Sequence, residues 1–144
     1  MSLSNVFNIA GSAMSAQSIR LNTVSSNMAN AESVGSSEGE TFKALKPIFK
    51  VNTPTPAQVR QGDPAMMAGQ GVSVTEIVKS DAPLRMVYEP NHPMANDEGY
   101  IFYPNVNIVE EMADMISASR SFQINTEIMN TAKQMLQKTL TLGN

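Results

Sequence analysis

Apolar positions recur in steps of three and four along both ends of the chain. In the first segment Phe7, Ala10, Met14, Gln17, Leu21, Val24, Met28 and Ala31 follow that spacing, which keeps one face of a helix on a single seam. The positions between them are mainly Ser and Asn, and Arg20 is the only charge before Glu32. The last segment repeats the pattern with Met112, Met115, Ser119, Phe122, Thr126, Met129, Lys133, Leu136 and Leu140, while Ile108 leads in and Ile116, Ile124 and Ile128 widen the stripe. Pro104 and Asn105 form a stop before this helix, and Glu110, Glu111 and Asp114 suit its N-terminal turns. Lys133 and Lys138 suit the far end, with Gly143 as terminator. At about 1.5 Å per residue the two helices are expected to run roughly 40 Å and 55 Å.

The middle has a different character. Glu32–Glu40 is rich in Ser, Gly and Glu, and Asn52–Gly71 holds three prolines and three glycines, so both read as loops. Val72–Val78 is β-branched and apolar and reads as a strand. Leu84–Tyr88 and Tyr100–Tyr103 read as shorter strands separated by the turn Pro90-Asn91-His92-Pro93. Thr41–Val51 is a further strand candidate, which Pro47 confines to an edge. The expected architecture is α+β: an N-terminal helix over 1–31, a small loop-rich β region over 32–105, and a C-terminal helix over 106–144, the two helices forming a coiled-coil pair. No repeat of solenoid type is present.

A single apolar stripe is ordinarily a helix's share of a core. Two long stripes flanking a small, loop-rich middle exceed what that middle can cover, so intermolecular packing of the helices is the better account. The abundance of Met, 11 of 144 residues, suits imperfect helical interfaces. The interface expected on this basis comprises Phe7, Met14, Leu21, Val24, Met28, Met112, Met115, Phe122, Met129, Leu136 and Leu140.

Chemistry has little foothold. Charged residues make up 16% and the net charge is −3, without the clustered Lys and Arg that nucleic acid requires. There is no Cys, which removes disulfides, thiolate chemistry and Cys-ligated zinc. The first ten residues do not read as a cleavable signal, and no apolar run approaches the ~20 residues of a membrane span. His92 is the only histidine; with Glu89, Asp97 and Glu98 near it in sequence, a carboxylate-metal hydrolase is the remote enzymatic reading, but a lone His in a Pro-flanked turn is ordinarily structural. Glu110 and Glu111 are adjacent on a helix, point to different faces, and do not form a catalytic dyad. Gly69-Gln70-Gly71 lacks the rest of a dinucleotide loop, and no nucleophile elbow occurs. The expectation is a non-enzyme with no catalytic residue, cofactor or metal.

Three segments resemble the axial proteins of the bacterial flagellum, the rod and hook family. The stretch from Leu21 to Asn30 closes on an Asn-x-Ala-Asn ending through Asn27, Ala29 and Asn30. The stretch from Asn105 to Met112, continued by Ile116, Arg120, Phe122 and Asn125, resembles the matching C-terminal signature. The segment from Tyr88 to Val106, with Pro90, His92, Pro93, Gly99, Tyr100, Pro104, Asn105 and Val106, resembles the basal-body rod branch. Departures are Ser36 after Gly35, with the aromatic-Lys pair delayed to Phe42-Lys43, and Glu89 and Asn96 where Asp is expected. The resemblance implies a proximal-rod subunit that transmits torque. It also implies export by the flagellar type III apparatus and helical assembly in the periplasm with copies of itself and other rod proteins, without membrane insertion. The alternative is a coiled-coil adaptor or export chaperone of the same secretion system, binding one partner at fixed stoichiometry.

Overall fold

The structure is a computed structural model and describes residues 3–53 and 70–142. Most of the Asn52–Gly71 loop and Gly143 lie outside the described residues. The element order is α1 (Leu3–Ala29), β1 (Leu45–Val51), β2 (Val72–Lys79), β3 (Arg85–Tyr88), β4 (Tyr100–Tyr103) and α2 (Ile108–Leu142). These form two long terminal helices with a small strand region between them, the α+β arrangement expected. The strand expected from Thr41 starts at Leu45 because the preceding residues are bonded elsewhere. Thr41 Oγ1 donates to Ser37 O at 2.7 Å and Ala44 N donates to the Asn105 side chain at 2.7 Å.

Local chemistry sets the helix ends. Asn107 caps α2: its Oδ1 accepts from Val109 N at 3.1 Å, and its carbonyl accepts the first helical bond from Glu111 N at 3.0 Å. Glu110 and Glu111 follow in the first turn, where the helix dipole favours acids. At the end of α1, Asn30 Nδ2 donates to Ser26 O at 2.8 Å and so satisfies a carbonyl left over by the helix.

The chain divides into two compact units, and each draws on both helices and on the strands. The first consists of Met1–Ile19, Ile48–Glu76 and Ser117–Asn144. Here Thr126 Oγ1 reaches Met14 Sδ at 3.4 Å. The start of β2 rests on α1: Val72 N donates to Ser12 Oγ at 3.1 Å. A Cβ at Gly71 would collide with the Ser12 side chain, so only glycine permits this approach. Asn52 N donates to Gly71 O at 2.9 Å and closes the β1–β2 pair at this end.

The second unit consists of Arg20–Pro47 and Ile77–Ile116. Within it α1 and α2 run antiparallel, since Arg20 pairs with Asp114 at 2.6 Å and Asn27, further along, meets Glu111. Strands β3 and β4 pair antiparallel in the register Arg85–Tyr103, Met86–Phe102, Val87–Ile101 and Tyr88–Tyr100. Gly35 bridges the other edge of β4, exchanging two 3.0 Å backbone bonds with Phe102. Ile101, fully buried, is the centre of this small core. The connection from Glu89 to Gly99 turns tightly on Asn96, whose Oδ1 accepts from Glu98 N at 3.0 Å and Tyr100 N at 2.8 Å. Gly99 sits at φ +82°, a conformation that glycine adopts without strain.

Candidate assembly surface and the polar junction behind it

The buried apolar residues of both helices are mostly small. Ala10, Ala16 and Val24 of α1 and Ala118 and Ala132 of α2 are buried, whereas Val109, Met112, Ile116, Phe122, Ile124, Ile128, Met135, Leu136 and Leu140 of α2 are exposed. Alanine lets two helix backbones approach closely, and many of the large apolar residues of α2 are left outward. Exposure reaches 75% at Val109 and is 66% at Leu140. From Lys133 to Thr141 every residue of α2 is exposed. In the first unit a groove of about 440 Å³ is lined by Leu3 and Val6 of α1 and by Ile124, Ile128, Ala132 and Met135 of α2.

The residues expected at an assembly interface therefore fall into three groups. Met112, Phe122, Leu136 and Leu140 are exposed. Phe7, Met14, Leu21, Met28, Met115 and Met129 are half-buried, and Val24 is buried within the subunit.

Two motif asparagines, Asn27 and Asn105, form structural joints. Asn27, 1% exposed, uses its amide as a substitute strand neighbour for Leu45: Nδ2 donates to Leu45 O and Oδ1 accepts from Leu45 N, both at 2.8 Å. The same Nδ2 donates to Glu111 Oε1 at 3.0 Å. Asn105 does the equivalent work nearby. Its Oδ1 accepts from Ala44 N, and its Nδ2 donates to Ala82 O at 2.7 Å and to Ser80 O at 3.3 Å. Ser80 N in turn donates to Ala44 O at 2.7 Å, so the base of the β1–β2 pair is fastened on every side. Ala29 is exposed and Pro104 buried, while Asn30 caps α1 and Tyr100 packs edge-on against Tyr88 at 5.1 Å. His92 Nδ1 accepts from Met94 N at 3.1 Å, stabilising the turn between Pro90 and Pro93.

Glu111 lies within the C-terminal signature and on a different face from Glu110, but nothing in the sequence marks it as part of a site; it is buried while Glu110 is exposed. Burial pushes its carboxyl above the ordinary glutamate value. The Asn27 hydrogen bond and Lys46 pull it down, while Asp114 and Glu110 push it further up. Among the described residues no cluster of three or more His, Asp or Glu could hold a metal ion.

Comparison with known proteins accords with this geometry. A family model described as flagella basal body rod protein matches residues 7–35, and one described as the flagellar basal body rod FlgEFG protein C-terminal matches residues 97–142. The class thus defined, flagellar basal-body rod proteins, covers both terminal helices and the Asn27 and Asn105 joints. Over 143 residues the chain is 47% identical to the flagellar basal-body rod protein FlgC of Escherichia coli O6:H1, with 99% of each chain covered. It is equally similar, 47% over 143 residues and 99% of each chain, to that of Salmonella typhimurium. With the FlgC of Borreliella burgdorferi it shares 35% over 154 residues, 99% of this chain and 98% of the other. The chain belongs to the FlgC family of flagellar basal-body rod proteins.

Proposed function

We propose that this rod subunit polymerises helically through the exposed apolar residues of its terminal helices, joining copies of itself and other rod proteins so that torque passes along the polymer. The observation that carries this reading is the end of α2, where Met135, Leu136 and Leu140 lie on a helix exposed all round. A helix of that length without packing is marginal in water. Full burial of one such side chain is worth about 1.5–3 kcal/mol, so covering these partly exposed ones yields ~1–2 kcal/mol each. A subunit that gains its last turns of helix only beside neighbours also suits passage through the type III export apparatus as an unfolded chain. The site is one of packing and not of chemistry.

The test is to follow Leu136→Asp and Leu140→Asp subunits through cytoplasm, periplasm and purified basal bodies. A charge forced into a desolvated contact costs several kcal/mol, but in the free subunit both positions are solvated. The variants should therefore be made and exported yet be absent from the rod, and the cells should not swim. Glu110→Asp, a conservative change at an exposed acid, should be silent. Normal incorporation of both Asp variants would refute assembly through this surface, and a complex of fixed stoichiometry outside the rod would favour an adaptor or chaperone.

A further inference from the structure

The junction of α1, β1 and α2 holds a carboxylate in a place that does not suit a charge. Glu111 is 7% exposed. Its Oε1 accepts one hydrogen bond, from Asn27, whereas its Oε2 is buried without a partner among the described residues. An ionised carboxylate taken out of water needs several donors, and a bare buried oxygen disfavours the charged form far more than the neutral one. The neighbouring charges do not cure this. Glu110 and Asp114 on its own helix oppose ionisation, and Lys46 on β1 assists it without bonding to it. Arg20, facing from α1, is engaged by Asp114 at 2.6 Å.

We propose that Glu111 makes this junction a proton-sensitive latch, firm while the carboxyl is neutral and loosened once it is charged. The position of Asn27 gives the latch its reach. The amide nitrogen that meets Glu111 also holds Leu45 O, and the amide oxygen holds Leu45 N, so whatever disturbs the carboxylate disturbs the attachment of β1. A neutral carboxyl keeps Oε1 as acceptor and removes the unpaired charge. An ionised one draws water or the Lys46 ammonium toward Oε2 and separates the groups packed around it. The folded junction holds the proton to a higher pH than the unfolded chain does. Its stability is therefore full below the ordinary glutamate value, falls as pH rises through the window up to the folded midpoint, and stays low above it. The latch belongs to the isolated subunit and does not depend on polymerisation.

Amide exchange of Leu45 N–H, which reports directly on the Asn27 clasp, tests this in the purified full-length subunit from below the ordinary glutamate value, at about pH 4, up to about pH 8. After correction for intrinsic exchange, wild-type protection should fall with pH, up to tenfold for each pH unit by which the folded midpoint exceeds the unfolded one. Glu111→Gln keeps the acceptor oxygen and cannot ionise, so its protection should stay level and exceed that of wild type at the upper end. A level wild-type profile, or the same fall in the Gln variant, overturns the proposal. Should the Gln variant not fold, a carboxyl ¹³C titration of the wild type decides: the Glu111 midpoint should lie above the ordinary glutamate value and rise further in Lys46→Gln. A midpoint at or below the ordinary value overturns it.

Discussion

Exchanging Asn27 for Asp alters one group, an amide NH2 for an oxygen, and leaves the side-chain volume almost unchanged. The acceptor for Leu45 N survives, but both bonds donated by Nδ2, at 2.8 Å to Leu45 O and 3.0 Å to Glu111 Oε1, are lost. Each buried polar group left unpaired costs about 1–3 kcal/mol, so the two together cost ~2–6 kcal/mol. Repulsion between the new carboxylate and Glu111 adds to this. Since a folded domain is stable by only about 5–15 kcal/mol, the change should bring the subunit close to unfolding. Two carboxyls in one site can relieve the strain by sharing a proton, so the loss should be smaller at acid pH. Urea denaturation followed by far-UV ellipticity at about pH 5 and about pH 8 measures it. Combining Asn27→Asp with Glu111→Gln restores a donor between the two positions, and the double variant should recover part of the lost stability. An unfolding midpoint equal to wild type for Asn27→Asp, or a double variant no better than the single, would show that the clasp does not hold the junction.

Gly99→Ala should destabilise by roughly 1–3 kcal/mol, read as a lowered melting temperature, because φ is +82° and a Cβ would sit 2.9 Å from Tyr88 Cε2 and 3.1 Å from Pro90 Cβ. His92→Asn should leave stability within about 0.5 kcal/mol and cells motile, since Asn can accept from Met94 N as the imidazole does; complete immobility with normal folding would reopen a chemical role. In dilute monomer the amides of Lys133–Thr141 should exchange rapidly while those of Ala44 and Leu45 stay protected, and uniform protection along α2 would count against the need for neighbours.

The elements were legible in the sequence because each announces itself by period. Steps of three and four gave the helices at both ends, and Val72, Val74 and Tyr100–Tyr103 gave strands through their β-branched and aromatic residues. The inward faces were less legible. Periodicity weighs large apolar residues most, yet the buried faces centre on Ala10, Ala16, Ala118 and Ala132, where closeness of approach outweighs side-chain size. Asn27 and Asn105 could be noticed as motif residues, but their work is long-range. They bond the backbone of residues 18 and 61 positions away, which no local pattern encodes. That Glu110 and Glu111 point to different faces was legible, but which of the two is turned inward was not, because only the helix's final rotation decides it.

The two asparagine clasps have a mechanical meaning. Leu45 is gripped by donor and acceptor of one amide, and Ala44, Ser80 and Ala82 by another. A tug on β1 cannot peel these bonds one after another, as it would at the frayed end of a hairpin. Several must rupture together, so the attachment behaves like a rivet and not like a zip. For a rod subunit, that is the difference between a strand region that creeps under sustained load and one that holds until a threshold force.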